Sequence, residues 1–308
     1  MLGLALLQCG GDRPSAPSLP PSPPPAYPPG TTLTVVSGET EQPVGGASVS
    51  LGGRNYQTDP SGRVSLAEGV IAGTPLEIES AAFLTRHTLV RSAGTTRFSL
   101  WPRATPSGIS EHYTATLVYT STSEGAGVGA AVLQRLSAGT SHVALVLSPE
   151  LQVASGEHQS AADMMTAASG GRVLYTLASE RPPGSGIVVF DVRLDPQDSF
   201  CANARGVTYV QTAANEIRGG RIVYCLLEAA RSPTVAHELG HSFGLRHSPD
   251  PQDLMGVPFS RFRRPQLGPR ELLIMSLMLQ RPGGNRFPDY DREAQVSLGG
   301  EEVVFVCS

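Results

Sequence analysis

Between residues 31 and 102, apolar positions alternate with polar ones over short runs, and turn residues separate the runs. The alternation predicts strands over 32–36, 47–51, 64–66, 76–79, 86–90 and 97–100. Gly45-Gly46, Gly52-Gly53 and Asp59-Pro60-Ser61-Gly62 supply the turns. Short strands at about 8–12-residue spacing describe a small β-sandwich. Trp101-Pro102 closes this segment, and from about residue 107 the periodicity becomes mixed. A continuous apolar strand is expected over 143–147. A helix is expected over 159–169, with Ala162, Met165, Ala168 and Ser169 on one face and Gly170-Gly171 at its end. Strands follow over 172–177, 187–194, 207–211 and 221–226. A helix should begin at Pro233 behind Ser232 as N-cap, and another should span 271–280. Residues 294–306 suit one or two further strands. The fold class is therefore multidomain: an all-β sandwich followed by an α/β (α+β) domain. The division is 1–12, a signal-like stretch; 13–30, a linker; 31–103, the sandwich; 107–291, the larger domain; and 292–308, a tail.

Composition narrows the picture. Charged residues make up 16% of the 308, against about 25% in ordinary proteins, which excludes a highly charged disordered chain. All 23 basic residues are Arg, and abundant Ala, Gly and Pro accompany them, the bias of a GC-rich bacterial genome. A net charge of −4 argues against a general nucleic-acid binder. No apolar run approaches the ~20 residues of a transmembrane helix. Leu2 to Leu7 is apolar and Cys9 follows at once. Three readings stand side by side: a lipoprotein signal with Cys9 as the lipidation site, a cleaved secretory signal, or a chance apolar start. The first two place the protein outside the cytoplasm, surface-anchored or secreted. Nine prolines between residues 14 and 29 form an extended spacer. Cys201 and Cys225 are either a disulfide, as suits an exported chain, or two buried thiols. Cys307 could replace either partner or stay free, and no CxxC spacing suggests a cysteine metal site.

The chemistry concentrates in residues 232–256, SPTVAHELGHSFGLRHSPDPQDLMG. His237 and His241 are four apart on a helix, so both rings leave one face. Two imidazoles so placed bind one metal ion, and Glu238 between them can reach a metal-bound water. Gly244 can take a positive φ, end the helix and turn the chain so that His247 reaches the same ion. Three imidazoles leave a position for water, the mark of a catalytic rather than a structural zinc site. Five specified positions at ~1 in 20 each recur by chance in about one in 10⁴ chains of this length.

His237-Glu238-x-x-His241-x-x-Gly244-x-x-His247 resembles the metzincin zinc-peptidase signature. Asp253-Leu254-Met255-Gly256 resembles the family's Met-turn, and the likeness implies that Met255 packs beneath the metal. Ser248 and the short interval to Met255 most resemble the matrixin branch, in a bacterial form. No matrixin cysteine switch stands near the catalytic segment, and no clear HGD-type zinc and calcium loops are present. The resemblance implies one catalytic Zn²⁺, a twisted mixed sheet and an edge strand over 215–224 that aligns an extended protein or peptide substrate. Separately, PVGGASVSLGGRNYQTDPSGRVSL resembles the carboxypeptidase regulatory-like sandwich family, a structural or adhesive module.

The leading expectation is an exported zinc endopeptidase in which Glu238 is the general base. One alternative is an adhesion or scaffold protein with an inactive zinc site. Another is a hydrolase of cell-wall peptide amides. Ca²⁺ near Asp191, Asp195 and Asp198 is weighed against free loop carboxylates, the expected state. Arg246, Asp250, Asp253 and the run Arg261-Phe262-Arg263-Arg264 lie near the site in sequence, the Arg run as a solvated loop. No Tyr between His247 and Gly268 offers a further ligand.

Overall fold

The computed structural model describes residues 26–91, 95–119, 132–257, 264–291 and 301–307. Cys9, most of the Pro-rich stretch and Arg261 to Arg263 lie outside them. The chain folds as mixed α/β, with three sheets and four α-helices among the described residues.

The first part contains β1 (Thr32–Ser37), β2 (Ser48–Leu51), β3 (Arg54–Gln57), β4 (Arg63–Ser65), β5 (Pro75–Glu79), β6 (Arg86–Leu89) and β7 (Arg97–Leu100). They form two sheets, ordered β4-β1-β7 and β3-β2-β5-β6. Alternate residues such as Leu33, Val35, Val49, Leu76, Ile78 and Leu100 point between the sheets into one apolar cluster. The strand β3 had no counterpart in the hydrophobic pattern. Its Arg54, Asn55 and Gln57 are exposed, and it is held by backbone pairing to β2.

The second part opens with α1 (Glu111–Val118), which the sequence reading did not separate from the mixed region. Ser110 caps it by accepting from the Tyr113 N–H at 3.1 Å. Next come β8 (Arg135–Leu136), β9 (His142–Leu147), α2 (Ser155–Ala168), β10 (Leu174–Ala178), β11 (Ile187–Leu194), β12 (Gly206–Ala213) and β13 (Glu216–Tyr224). The last elements are α3 (Thr234–Phe243), α4 (Pro269–Met278) and β14 (Glu301–Cys307). The sheet order is β10-β9-β11-β13-β12-β14, and β8 pairs parallel with β13. From β10 to β13 neighbours run parallel, whereas β12 runs antiparallel to both its neighbours. Helices α2 and α3 pack on the sheet and share its core.

One expectation about this sheet is corrected. The expected edge strand over 215–224 is interior: β13 lies between β11 and β12. Ala214 and Asn215, both at positive φ, make the two-residue turn that folds β12 and β13 into a hairpin and leaves β12 outermost of the two. Of the strands expected over 294–306, β14 forms within the 292–308 tail and continues the sheet beyond β12.

Candidate metal centre

The helix α3 is buried along its whole length. It begins at Thr234, and Ser232 does not cap it; the Ser232 backbone N–H turns instead to the Glu157 carboxylate at 3.3 Å. At the other end Gly244 has φ +111°, and a Cβ there would lie 2.3 Å from the Gln134 carbonyl oxygen. Only glycine meets both conditions. The chain reverses at that point. The His241 Nδ1 donates to the Leu245 carbonyl at 2.7 Å, and His247 follows two residues later.

The three imidazoles converge. Ring centroids are 4.8 Å apart for His237 and His241, 4.9 Å for His241 and His247, and 5.5 Å for His237 and His247. The His237 Nδ1 donates to the Leu254 carbonyl at 2.7 Å, as the His241 Nδ1 does to Leu245. With the proton on Nδ1, each Nε2 presents a lone pair. The two Nε2 atoms face each other at 3.2 Å. Two lone pairs repel at that range, and a cation between them turns the arrangement into an attraction. Burial, then the neighbouring His237 and His247 rings, hold His241 well below the ordinary histidine pKa, which keeps it a neutral ligand.

A fourth donor completes the group, and sequence reasoning missed it. Cys307 Sγ lies 3.1 Å from His237 Nε2, 3.4 Å from His241 Nε2 and 3.6 Å from His247 Nε2. The four donor atoms fall within 4.8 Å of one another and could hold a metal ion. Where the sequence suggests three imidazoles and an open position, a buried thiol stands beside the three rings. Cys307 is 60 residues from His247 in sequence, and strand pairing alone brings it in. Cys201 and Cys225 are joined in a disulfide, so Cys307 takes neither place.

Glu238 is buried and its Oε2 accepts the Thr208 hydroxyl at 2.6 Å. Its carboxylate packs on Gly206 of β12, where a Cβ would stand 2.4 Å from Oε1. Met255 is buried against the middle of α3, and a Cβ on Gly240 would sit 2.3 Å from its Sδ. The turn carrying Met255 is braced from several sides. Glu271 of α4 accepts the Met255 N–H at 2.9 Å and the Gly268 N–H at 2.7 Å. Asp253 accepts from Tyr113, Ser248 and Arg270. Arg246 is buried, donates to Gln134 at 3.0 Å and stands over the Phe305 ring. Asp191 and Asp195 pair with Arg181 and Arg193, and Asp198 accepts the Tyr209 hydroxyl, so these carboxylates do not gather around a common point. Among the described residues the His237, His241, His247 and Cys307 group stands alone as a candidate metal centre.

Fold and site thus define a mixed α/β protein with a largely buried group of three histidines and one cysteine that could hold a metal ion. No family model and no curated protein matches the chain.

Proposed function

We propose that the chain is a zinc-dependent endopeptidase of the metzincin kind, exported and preceded by a carboxypeptidase regulatory-like sandwich. The observation that carries this reading is the convergence of the His237, His241 and His247 rings around one point, with Glu238 on the same helix held against β12. Tetrahedral zinc, with nitrogen at about 2.0–2.1 Å and sulfur at about 2.3 Å, needs N···N near 3.3 Å and N···S near 3.6 Å. The 3.2 Å between the His237 and His241 nitrogens and the 3.1 to 3.6 Å to sulfur lie near those values, within a donor group that spans up to 4.8 Å. Neutral imidazoles and a thiolate are also the donor types zinc prefers.

When bound, zinc polarises a peptide carbonyl and makes water acidic near neutral pH. The remaining work falls to the chain. Glu238 accepts the proton of the attacking water and passes it to the leaving amine. The Thr208 hydroxyl fixes one carboxylate oxygen and so the orientation of that base. The backbone of β12, paired with β14 on the side away from β13, would align an extended peptide there without regard to its sequence once that side is open.

Cys307 favours a second reading, a closed four-ligand site in an adhesion or scaffold protein. Mass-spectrometric cleavage of a mixed peptide library with added zinc separates the two. The full chain and its Cys307→Ser form are each run beside their Glu238→Ala counterparts. Cuts that vanish with Glu238→Ala establish the peptidase. Zinc bound by all four proteins with no cuts from any would leave the closed-site reading. Hydrolysis confined to cell-wall peptides would narrow the substrate class.

A further inference from the structure

The strand β14 covers the side of β12 that faces away from β13. It pairs antiparallel with β12 in an unbroken register from Thr212↔Glu301 to Gly206↔Cys307. This consumes the backbone groups of β12 that would otherwise be open to an extended peptide. The register places Cys307 opposite Gly206 and Phe305 opposite Thr208. Both positions lie against the Glu238 carboxylate: the Thr208 hydroxyl donates to it, and a Cβ on Gly206 would collide with it. The strand therefore passes directly across the base as well as the histidines.

Both faces of β14 are gripped. Phe305 stacks on the His241 ring, with centroids 4.3 Å apart and planes within 8°. On the opposite face Val304 and Val306 pack on a small cluster of Ala204, Val207, Tyr209, Val223 and Cys225. The Cys201–Cys225 disulfide borders that cluster. The Cys307 carbonyl accepts the Arg205 N–H at 2.8 Å, which fixes the backbone at the thiol. Nothing about this register is needed to complete the three-histidine face itself, which α3, the Gly244 turn and the Met255 turn already build.

We propose that β14 is a built-in occupant of the peptide-binding edge and that Cys307 ligates the metal, so that the described form is latent and displacing β14 opens it. The proposal rests on the peptidase reading. Release exchanges the thiolate for water at the ion; the sulfur takes a proton from solvent, and no oxidant is involved. Two locks act together, the thiolate on the metal and the strand on the edge. Cys307→Ser removes the first, and deletion of residues 301–308 removes both.

The test uses three full preparations: wild type, Cys307→Ser and the 301–308 deletion. Each is loaded with Co²⁺ for absorption spectra and with Zn²⁺ for peptide cleavage. Iodoacetamide labelling of wild type with and without Zn²⁺, mapped by mass spectrometry, reports whether the thiol is held. Wild type should show a thiolate-to-cobalt band that Cys307→Ser lacks. Zinc should slow Cys307 labelling relative to the chelated protein, in which only its burial in β14 shields the thiol. Turnover should rise at least about tenfold in Cys307→Ser and further in the deletion, since rate follows the competent fraction. A missing band and unprotected thiol in wild type overturn the proposal while leaving the peptidase reading intact. Wild type cleaving as fast as Cys307→Ser does the same. Band and protection present with no cleavage by any form overturn the peptidase reading and the latency with it. If the deletion does not fold, Cys307→Ser alone carries the comparison.

Discussion

Gly206 and Gly240 matter for the atoms they lack. Gly206 leaves room for the Glu238 carboxylate and Gly240 for the Met255 sulfur. A methyl group at residue 206 would meet Glu238 Oε1 at 2.4 Å, and the Thr208 hydrogen bond limits how far that carboxylate can retreat. Gly206→Ala, made in the Cys307→Ser form, should lower kcat by roughly tenfold to a hundredfold, since ångström displacements of catalytic groups cost that much. Zinc content should not change, because no ligand is moved. Equal turnover with and without the methyl would show that Gly206 does not shape the base. Gly244 is more constrained, by φ +111° and by the Gln134 carbonyl 2.3 Å from any Cβ. Gly244→Ala should cost about 3 kcal/mol of unfolding free energy, from backbone strain and overpacking together. A denaturant midpoint within error of wild type would refute this.

At the scale of elements, the Met255 turn is held by its neighbours more than by its own sequence. Glu271 reaches from the first turn of α4 to two backbone N–H groups, one of its own helix end and one of the turn. Glu271→Ala leaves both donors buried without this acceptor and should cost about 2 kcal/mol, measured by urea unfolding. Asp250 shares Arg270 with Asp253 on the other side of the turn. The Gln252 N–H first, and the Arg270 guanidinium second, hold the Asp250 carboxyl below its ordinary range. A carboxyl lowered in the folded state stabilises above its unfolded pKa and loses that contribution as pH falls through the folded one. Acidification below about pH 3.8 should therefore weaken wild type more than Asp250→Asn, a difference that thermal melts across that range would read. The elements that carry the site divide sharply in how visible they were. Within α3 the His-Glu-His-Gly-His spacing is local, and local geometry determines where its rings go. The strand β3 carries no apolar alternation, so only its pairing with β2 defines it. The helix α1 is short, with two Thr and one Tyr among its eight residues, although Ser110 and Glu111 are an N-cap signal that could have revealed it. Cys307 could not be assigned from spacing, because its place is decided by the register between β14 and β12.

Across the whole molecule, the two parts meet through buried charge. Arg281 is buried; it forms a two-point ion pair with Asp289 at 2.6 Å on each arm, and donates to the Ser99 carbonyl of β7 at 2.8 Å. Arg86 of β6 reaches Asp291 at 2.8 Å, and Asn285 bridges Asp289 to Asp291. Gln280 donates to the Gly38 carbonyl at 2.8 Å beside β1. Trp101, at the end of the sandwich, is counted in the larger domain's core and lies under the Arg281 guanidinium. The sandwich is thus joined to the second part by specific side chains rather than by a bare linker. Removing one member of such a network leaves the other charge buried without its counter-ion, a loss of about 3–5 kcal/mol. Arg281→Met keeps the volume and deletes the charge, so its effect is electrostatic rather than a cavity. Wild type should unfold in one calorimetric transition, whereas Arg281→Met should show two, as the sandwich uncouples from the rest. Replacing both partners, Arg281→Met with Asp289→Leu, should recover much of the stability, because the stranded charge is gone. It should not recover the coupling, because the Ser99 contact is also gone. A single transition in Arg281→Met with a loss under about 1 kcal/mol would place the junction in apolar packing around Trp101 instead.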